Sequence, residues 1–163
     1  MSQAPFRMEL LDSKFDRSRF NCGTEPLDNY FKTTVSQDIR RRVTACFVAV
    51  TEEKRVAGFY TLASASVLLS DLPQDTRKRL PRYPSVPAVR MGRLAVDQAF
   101  KGQGLGGALL ADAITRAARS EITAFALIVD AKDESAAAFY RHHGFIALPD
   151  KLLTLFLALA GIV

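Results

Sequence analysis

Apolar residues fall into distinct spacings along this chain, and each spacing predicts a different element. Strict alternation marks residues 6–10 (Phe-Arg-Met-Glu-Leu) as a first strand. Asn21-Cys22-Gly23 makes a turn, and Thr24 then stands as a helix cap with Pro26 in the first turn. Leu27, Tyr30, Phe31 and Val35 give that helix one apolar face. Arg40-Arg41-Arg42 falls at its C-terminal end, where cations suit the helix dipole. Residues 44–50 form a strand, the polar residues 52–55 a hairpin turn, and 56–62 the return strand, continuing toward Leu68. Between 70 and 82 Asp, Pro and basic residues mix. A short helix over 74–80 fits there, with a loop closed by Pro81, Pro84 and Pro87. Residues 88–96 are a fourth strand. Leu110, Ala113, Ile114 and Ala117 then recur at helical spacing in a helix that runs to about Arg119. Residues 124–129 read as a buried strand, Asp133 caps a helix that stops at Gly144, and 145–148 and 152–159 complete the sheet. Antiparallel strands first, then strand–helix–strand, predict an α/β fold. Its mixed, mostly antiparallel sheet has six to seven strands, flanked by about four helices.

Composition bounds this picture. At 163 residues the chain suits one domain, 1–163, and is long enough to bury a core. No N-terminal stretch has the basic, apolar, small-residue order of a signal peptide. The tail 152–163 is uncharged, but its 12 residues fall short of the ~20 that cross a bilayer, so a strand is the better reading and no membrane partner is expected. Two cysteines, Cys22 and Cys46, fit a reduced, cytoplasmic protein. Cys46 lies in an apolar run and reads as core, whereas Cys22 precedes a turn. Two adjacent histidines, His142 and His143, leave too few ligands for zinc, so no metal is expected. The residue types still allow a Cys–His nucleophile pair.

Charge narrows the partners. The net charge of +5 arises wholly within residues 1–100, which hold 16 Lys/Arg against 11 Asp/Glu, whereas residues 101–163 hold 6 of each. The clusters are Arg40-Arg41-Arg42 and Arg77-Lys78-Arg79, followed by Arg82, Arg90 and Arg93. Such clusters attract polyanions by releasing counterions, although any single run is explained as well by a solvated face.

Lys101-Gly102-Gln103-Gly104-Leu105-Gly106 follows the apolar Leu94-Ala95-Val96 and leads into a helix. A helix N-terminus carries unpaired N–H groups and partial positive charge, so it favours an anion, and glycine lets the backbone approach a phosphate. The loop does not have the Gly-Lys-Ser/Thr ending of a nucleotide-triphosphatase loop. Taken alone, it fits a capped turn without ligand as well as a phosphate cradle.

The loop resembles the Q/R-x-x-G-x-G/A motif of the GCN5-related N-acetyltransferases (GNAT), which holds the pyrophosphate of acetyl-coenzyme A. Lys101 stands for the usual Gln or Arg. The segment 133–145 resembles the family's second motif, N-x-x-A-x-x-(F/L)-Y-x-x-x-G-F, with Asp133 for Asn and with Ala136, Phe139, Tyr140, Gly144 and Phe145 matching. The interval between the motifs is normal for the family, and together they cover about a third of the chain. Phe20-Asn21-Cys22-Gly23, Leu27-Asp28-Asn29-Tyr30, Pro81-Arg82-Tyr83-Pro84, Gly92-Arg93-Leu94-Ala95-Val96-Asp97 and Val129-Asp130-Ala131-Lys132-Asp133 resemble one bacterial branch, the TacT/AtaT-type tRNA-acetylating toxins of type II toxin–antitoxin systems.

The resemblance implies a GNAT fold and acetyl-CoA as co-substrate. It implies a toxin that acetylates the α-amine of aminoacyl-tRNA and so blocks translation. The expected antitoxin is a ribbon-helix-helix protein of the DUF1778 type encoded beside it, with DNA reached only through that antitoxin in a repressor complex. A homodimer is expected from family habit. For acetyl-CoA it implies backbone amides at Gly102, Gln103, Gly104, Leu105, Gly106 and Gly107 on the pyrophosphate, with Lys101 at the loop's start. It adds Leu94, Ala95 and Val96 for the pantetheine and thioester, and Asp133 and Ala136 from the second motif. Leu94 and Val96 would work like a small oxyanion hole, and one such donor is worth roughly 3 kcal/mol.

Tyr140 is the expected general acid, its phenol (unperturbed pKa ~10) protonating the departing thiolate. Phe139 is expected in the core and Tyr140 in the cleft. No obvious general base is present: strand 88–96 carries Arg90 and Arg93 but no carboxylate until Asp97 at its end. A lysine acceptor, pKa ~10.4, needs a base, whereas the α-amine of an amino-acid ester is less basic because the ester withdraws electrons. The missing carboxylate thus agrees with an aminoacyl-tRNA acceptor. Arg77, Lys78, Arg79, Arg82, Arg90 and Arg93 are the expected tRNA contacts, with Arg40-Arg41-Arg42 open between tRNA and antitoxin. The alternatives are acetylation of protein N-termini or small amines, and a non-catalytic acyl-CoA-binding protein.

Overall fold

A computed structural model describes residues 5–162, so residues 1–4 and 163 of the expected domain lie outside the described residues. Seven strands form one mixed sheet: β1 (Arg7–Leu10), β2 (Ala45–Val50), β3 (Val56–Leu68), β4 (Ser85–Val96), β5 (Ala126–Asp130), β6 (Ile146–Leu148) and β7 (Lys151–Ala158). Their order is β1-β2-β3-β4-β5-β7-β6. β1/β2, β2/β3, β5/β7 and β6/β7 are antiparallel, and β4/β5 is parallel. The helices are α1 (Glu25–Asn29), α2 (Val35–Arg40), α3 (Gln74–Arg77), α4 (Leu105–Arg119) and α5 (Glu134–His142). This is the mixed α/β fold that the spacing predicts.

The chain divides into two compact units. The first runs to Ala63 and adds Gly92–Ala113. Its core gathers Phe20, Phe31, Val35, Cys46, Val48 and Phe59, with Phe31 and Phe59 stacked at 4.2 Å between centroids. The second holds Ser64–Met91 and the chain from Ile114 onward, with Val67, Leu72, Val86, Ile128, Leu148 and Phe156 in its core.

Several boundaries depart from the sequence reading. The helix expected after Thr24 is two α segments joined by a π-helical turn, Tyr30–Thr34. Leu27, Phe31, Val35 and Ile39 repeat every four residues, a spacing that drifts around a 3.6-residue helix, and one wider turn corrects the drift. Thr24 occupies the cap position without a side-chain cap bond; Asp28 Oδ1 instead accepts from the Cys22 N–H at 2.8 Å. The short helix of 74–80 ends at Arg77, and the chain leaves through turns on Thr76 and Arg77 carbonyls before Pro81. β4 begins at Ser85, three residues early, and carries Pro87 before its ladder with β5 starts at Ala88. Pro has no N–H to give a ladder, which is why it precedes the paired stretch.

Candidate active site

The first unit carries the glycine loop. β4 ends at Val96, and a short 3-10 turn (Gln98–Phe100) leads into the loop and α4. Gly102 and Gly104 have φ of +82° and +78°, and an added Cβ at either would meet nothing within 4 Å. The first amide bonded toward α4 is Ala108 N, to Gly104 O at 3.1 Å. The amides of residues 102–107 have no acceptor among the described residues. No acidic side chain occupies the first turn of α4. Six consecutive free donors at a helix start, two of them on glycines with open space, form a main-chain anion cradle.

A buried carboxylate braces that loop. Asp97 accepts from Ala99 N at 2.9 Å and from Asn21 N at 3.0 Å, with Arg55 Nη2 3.6 Å away. Asn21 O accepts from Gln98 N at 2.8 Å. Lys101, expected beside the pyrophosphate, spends its ammonium on Cys22 O at 2.8 Å, so it ties the loop to the 21–23 turn. Leu94 and Val96 are partly exposed on β4, and Ala95 between them is buried. The register with β5 ends at Met91, opposite Val129, so β4 continues for five residues past its last β5 partner.

The second unit carries Tyr140. Asp133 Oδ1 accepts from Ala136 N at 2.9 Å, which caps α5 and uses the amide of Ala136. At the other end Gly144 (φ +94°) donates to Arg141 O and Phe145 N to Tyr140 O. This is a Schellman ending, and its partner contact is Phe145 on Tyr140, 5.6 Å between rings. Tyr140 is 9% exposed, while Phe139, expected in the core, is only half-buried and packs on His143. The Tyr140 hydroxyl makes no hydrogen bond among the described residues, yet it is not a buried orphan; that place belongs to Arg55 Nε. Burial first, then the charge of Asp130, pushes its pKa up to about 12. A phenol in that state is a proton donor over the whole neutral range.

The expected cations separate into two sets. Arg90 pairs with Asp130, and Arg93 lies 3.5 Å over the Tyr30 ring. Arg77, Lys78, Arg79 and Arg82 are exposed, without an ion pair among the described residues, and Arg77, Lys78 and Arg82 line a shallow depression with the 63%-exposed Tyr83. Asp130, to which the sequence assigns no role, also accepts from Thr154 at 2.9 Å. Burial pushes the Cys22 and Cys46 thiols up, Cys46 to about 12, the wrong direction for a nucleophile. Among the described residues no three metal-ligating side chains gather, and no helix is long and apolar enough to cross a membrane.

Residues 8–145 match the acetyltransferase (GNAT) family. A Mycobacterium tuberculosis protein described as a tRNA-acetylating toxin is 38% identical over 156 residues, covering 94% of this chain and 90% of that one. Among solved structures, AtaT complexed with acetyl-methionyl-tRNAfMet is 31% identical at a TM-score of 0.87, over 94% of each chain. A Tyr-to-Phe mutant of the AtaT toxin, bound to the C-terminus of the antitoxin AtaR and acetyl-CoA, is 27% identical at 0.80, over 96% of this chain and 94% of that one. An AtaT–AtaR complex bound to DNA is 27% identical at 0.75, over 94% of each.

Proposed function

The chain belongs to the GNAT family of acetyltransferases, and from that premise we propose that it moves acetyl from acetyl-CoA to the α-amine of aminoacyl-tRNA, as a toxin held by an antitoxin. Acetylated aminoacyl-tRNA has no free amine for peptide bond formation, so translation stops. The free amides of residues 102–107 hold the diphosphate. Leu94 and Val96 offer backbone groups to the pantetheine and the thioester carbonyl. Tyr140 gives its proton to the departing thiolate, and its raised pKa keeps that proton in place at cell pH.

The observation that carries this reading is the run of six unpaired amides beneath Gly102 and Gly104, in a chain 38% identical to a tRNA-acetylating toxin. The antitoxin is a ribbon-helix-helix protein of the DUF1778 type; the AtaT–AtaR complex bound to DNA supports an antitoxin complex that reaches DNA. DNA is reached through it, and the toxin is a homodimer acting in the cytoplasm. Arg77, Lys78, Arg79 and Arg82 carry the tRNA contact.

Labelled acetyl-CoA, charged tRNA and control amines, including protein N-termini, test this directly. Label should stay with tRNA through RNA purification and leave on deacylation. Tyr140→Phe should slow that transfer by about 100- to 1,000-fold. Label confined to protein or free amine overturns the tRNA acceptor.

A further inference from the structure

A cavity of about 510 Å³ opens in the second unit, lined by Arg90, Ile128, Asp130, Leu148, Lys151 and Thr154 among others. That size is within the range of small-ligand sites. One carboxylate in its wall, Asp130, is held from both sides. Asp130 ends β5 and stands opposite Thr154 in the β5/β7 ladder. Thr154 donates to Oδ1 and Arg90, on the neighbouring β4, pairs with Oδ2. A carboxylate has about four acceptor positions, so two strands fix this one and leave it capacity for another donor. Its side chain remains 52% exposed. Asp130 directly follows Val129, the last β5 residue in register with β4, so it stands where those two strands stop pairing, and its charge also acts on the Tyr140 phenol.

Resting on the function proposed above, we propose that Asp130 is the amine-side catalytic residue. Its carboxylate accepts a hydrogen bond from the acceptor's α-amine and offsets the positive charge that grows on nitrogen during attack. The nitrogen lone pair forms the bond to the thioester carbon. The C–S bond breaks, and sulfur takes the Tyr140 proton. The ammonium nitrogen loses one proton to water, and a proton from water restores the phenol. Asp130 stays a carboxylate throughout, so it orients and stabilises without acting as a base. Arg90 is then a positioning residue that aims the carboxylate, a different task from the phosphate contact its residue type suggests.

Arg90, Lys151 and Asp71 are the other charges at the cavity, and Glu134, Arg141 and His142 share α5 with the phenol. The test compares wild type with Asp130→Asn, which keeps shape and an acceptor but removes the charge. The kcat should fall about tenfold to a hundredfold, below the loss of a full oxyanion donor, with the acetyl-CoA KM unmoved. The Tyr140 phenol, followed by tyrosinate absorbance against a Tyr140→Phe blank, should titrate at lower pH than in wild type. A kcat within twofold of wild type, with the phenol shift present, overturns the proposal. Should Asp130→Asn not fold, Thr154→Val keeps the charge and loses one tether, and an unchanged kcat there is equally fatal. If wild type labels a small amino-acid amide but not charged tRNA, the tRNA reading fails, and the same kcat ratio on the amide decides this one.

Discussion

Residues 102–107 and residues 77–83 both offer positive electrostatics to phosphate, and they build it from opposite materials. The first uses main-chain amides on glycines with positive φ, fixed at a helix start. The second uses long cationic side chains, exposed and unpaired among the described residues, beside one exposed aromatic ring. Fixed amides suit a small, shaped diphosphate at short range. Flexible cations suit a long polyanion whose register can vary, and salt screens them. A chain that needs to grip a cofactor and also meet tRNA has reason to keep both.

The largest effect is expected where the main-chain grip is braced. Asp97 is buried and receives Asn21 N and Ala99 N, with Arg55 beside it. Asp97→Ala strands those donors and should cost about 2 kcal/mol of stability, read by urea unfolding. Asp97→Asn keeps an acceptor and should recover more than half of it. Equal losses in both variants would mean that the charge beside Arg55 matters and the hydrogen bonds do not.

The two regions were also unequally legible. The glycine loop could be read because a φ near +80° restricts residue identity, so geometry is written into the sequence. The second motif could be read for the same reason: Asp133 caps, Gly144 reverses the chain, and Phe145 closes on Tyr140. That closing contact is also why Tyr140 is the more buried of the two aromatics, since helical spacing alone does not say which aromatic the Schellman ending draws in. Charge pairing was not legible. Arg90, Arg93 and Lys101 look as free in sequence as Arg77 and Arg79. Their partners are Asp130, the Tyr30 ring and Cys22 O, from 40 to 79 positions away. Strand register and turn docking set those pairs, and no local pattern encodes them. The π-helical turn at Tyr30–Thr34 was hidden likewise, in a repeat of four that only tertiary packing distinguishes from an ordinary helix.

A smaller effect is expected in the cradle itself. Gly104 holds φ +78° with open space where a Cβ would go. Gly104→Ala therefore clashes with no protein atom, yet it forces an L-residue into a left-handed conformation at about 1–2 kcal/mol and puts a methyl where the diphosphate would sit. Acetyl-CoA affinity should weaken roughly tenfold by calorimetry, with tRNA affinity unchanged. A Gly104→Ala protein that binds acetyl-CoA as wild type does would remove the distinction between the two regions, because the amides would then not be the grip.

The smallest effect at cellular salt, and the sharpest test of the contrast, comes from the side-chain surface. Each phosphate contact removed should lower the slope of log K against log salt by ~1. Arg77→Ala with Arg79→Ala should therefore flatten the tRNA salt dependence by about 2, losing only a few-fold in affinity near 0.15 M because exposed cations are already screened there. Acetyl-CoA binding should not change, since neither side chain belongs to the unit that carries the loop. Filter binding of charged tRNA across a salt series measures the slope directly. An unaltered slope would move the tRNA contact elsewhere, with Arg40-Arg41-Arg42 the next surface to neutralise: all three are exposed, and Arg42 is held at φ +61° after α2.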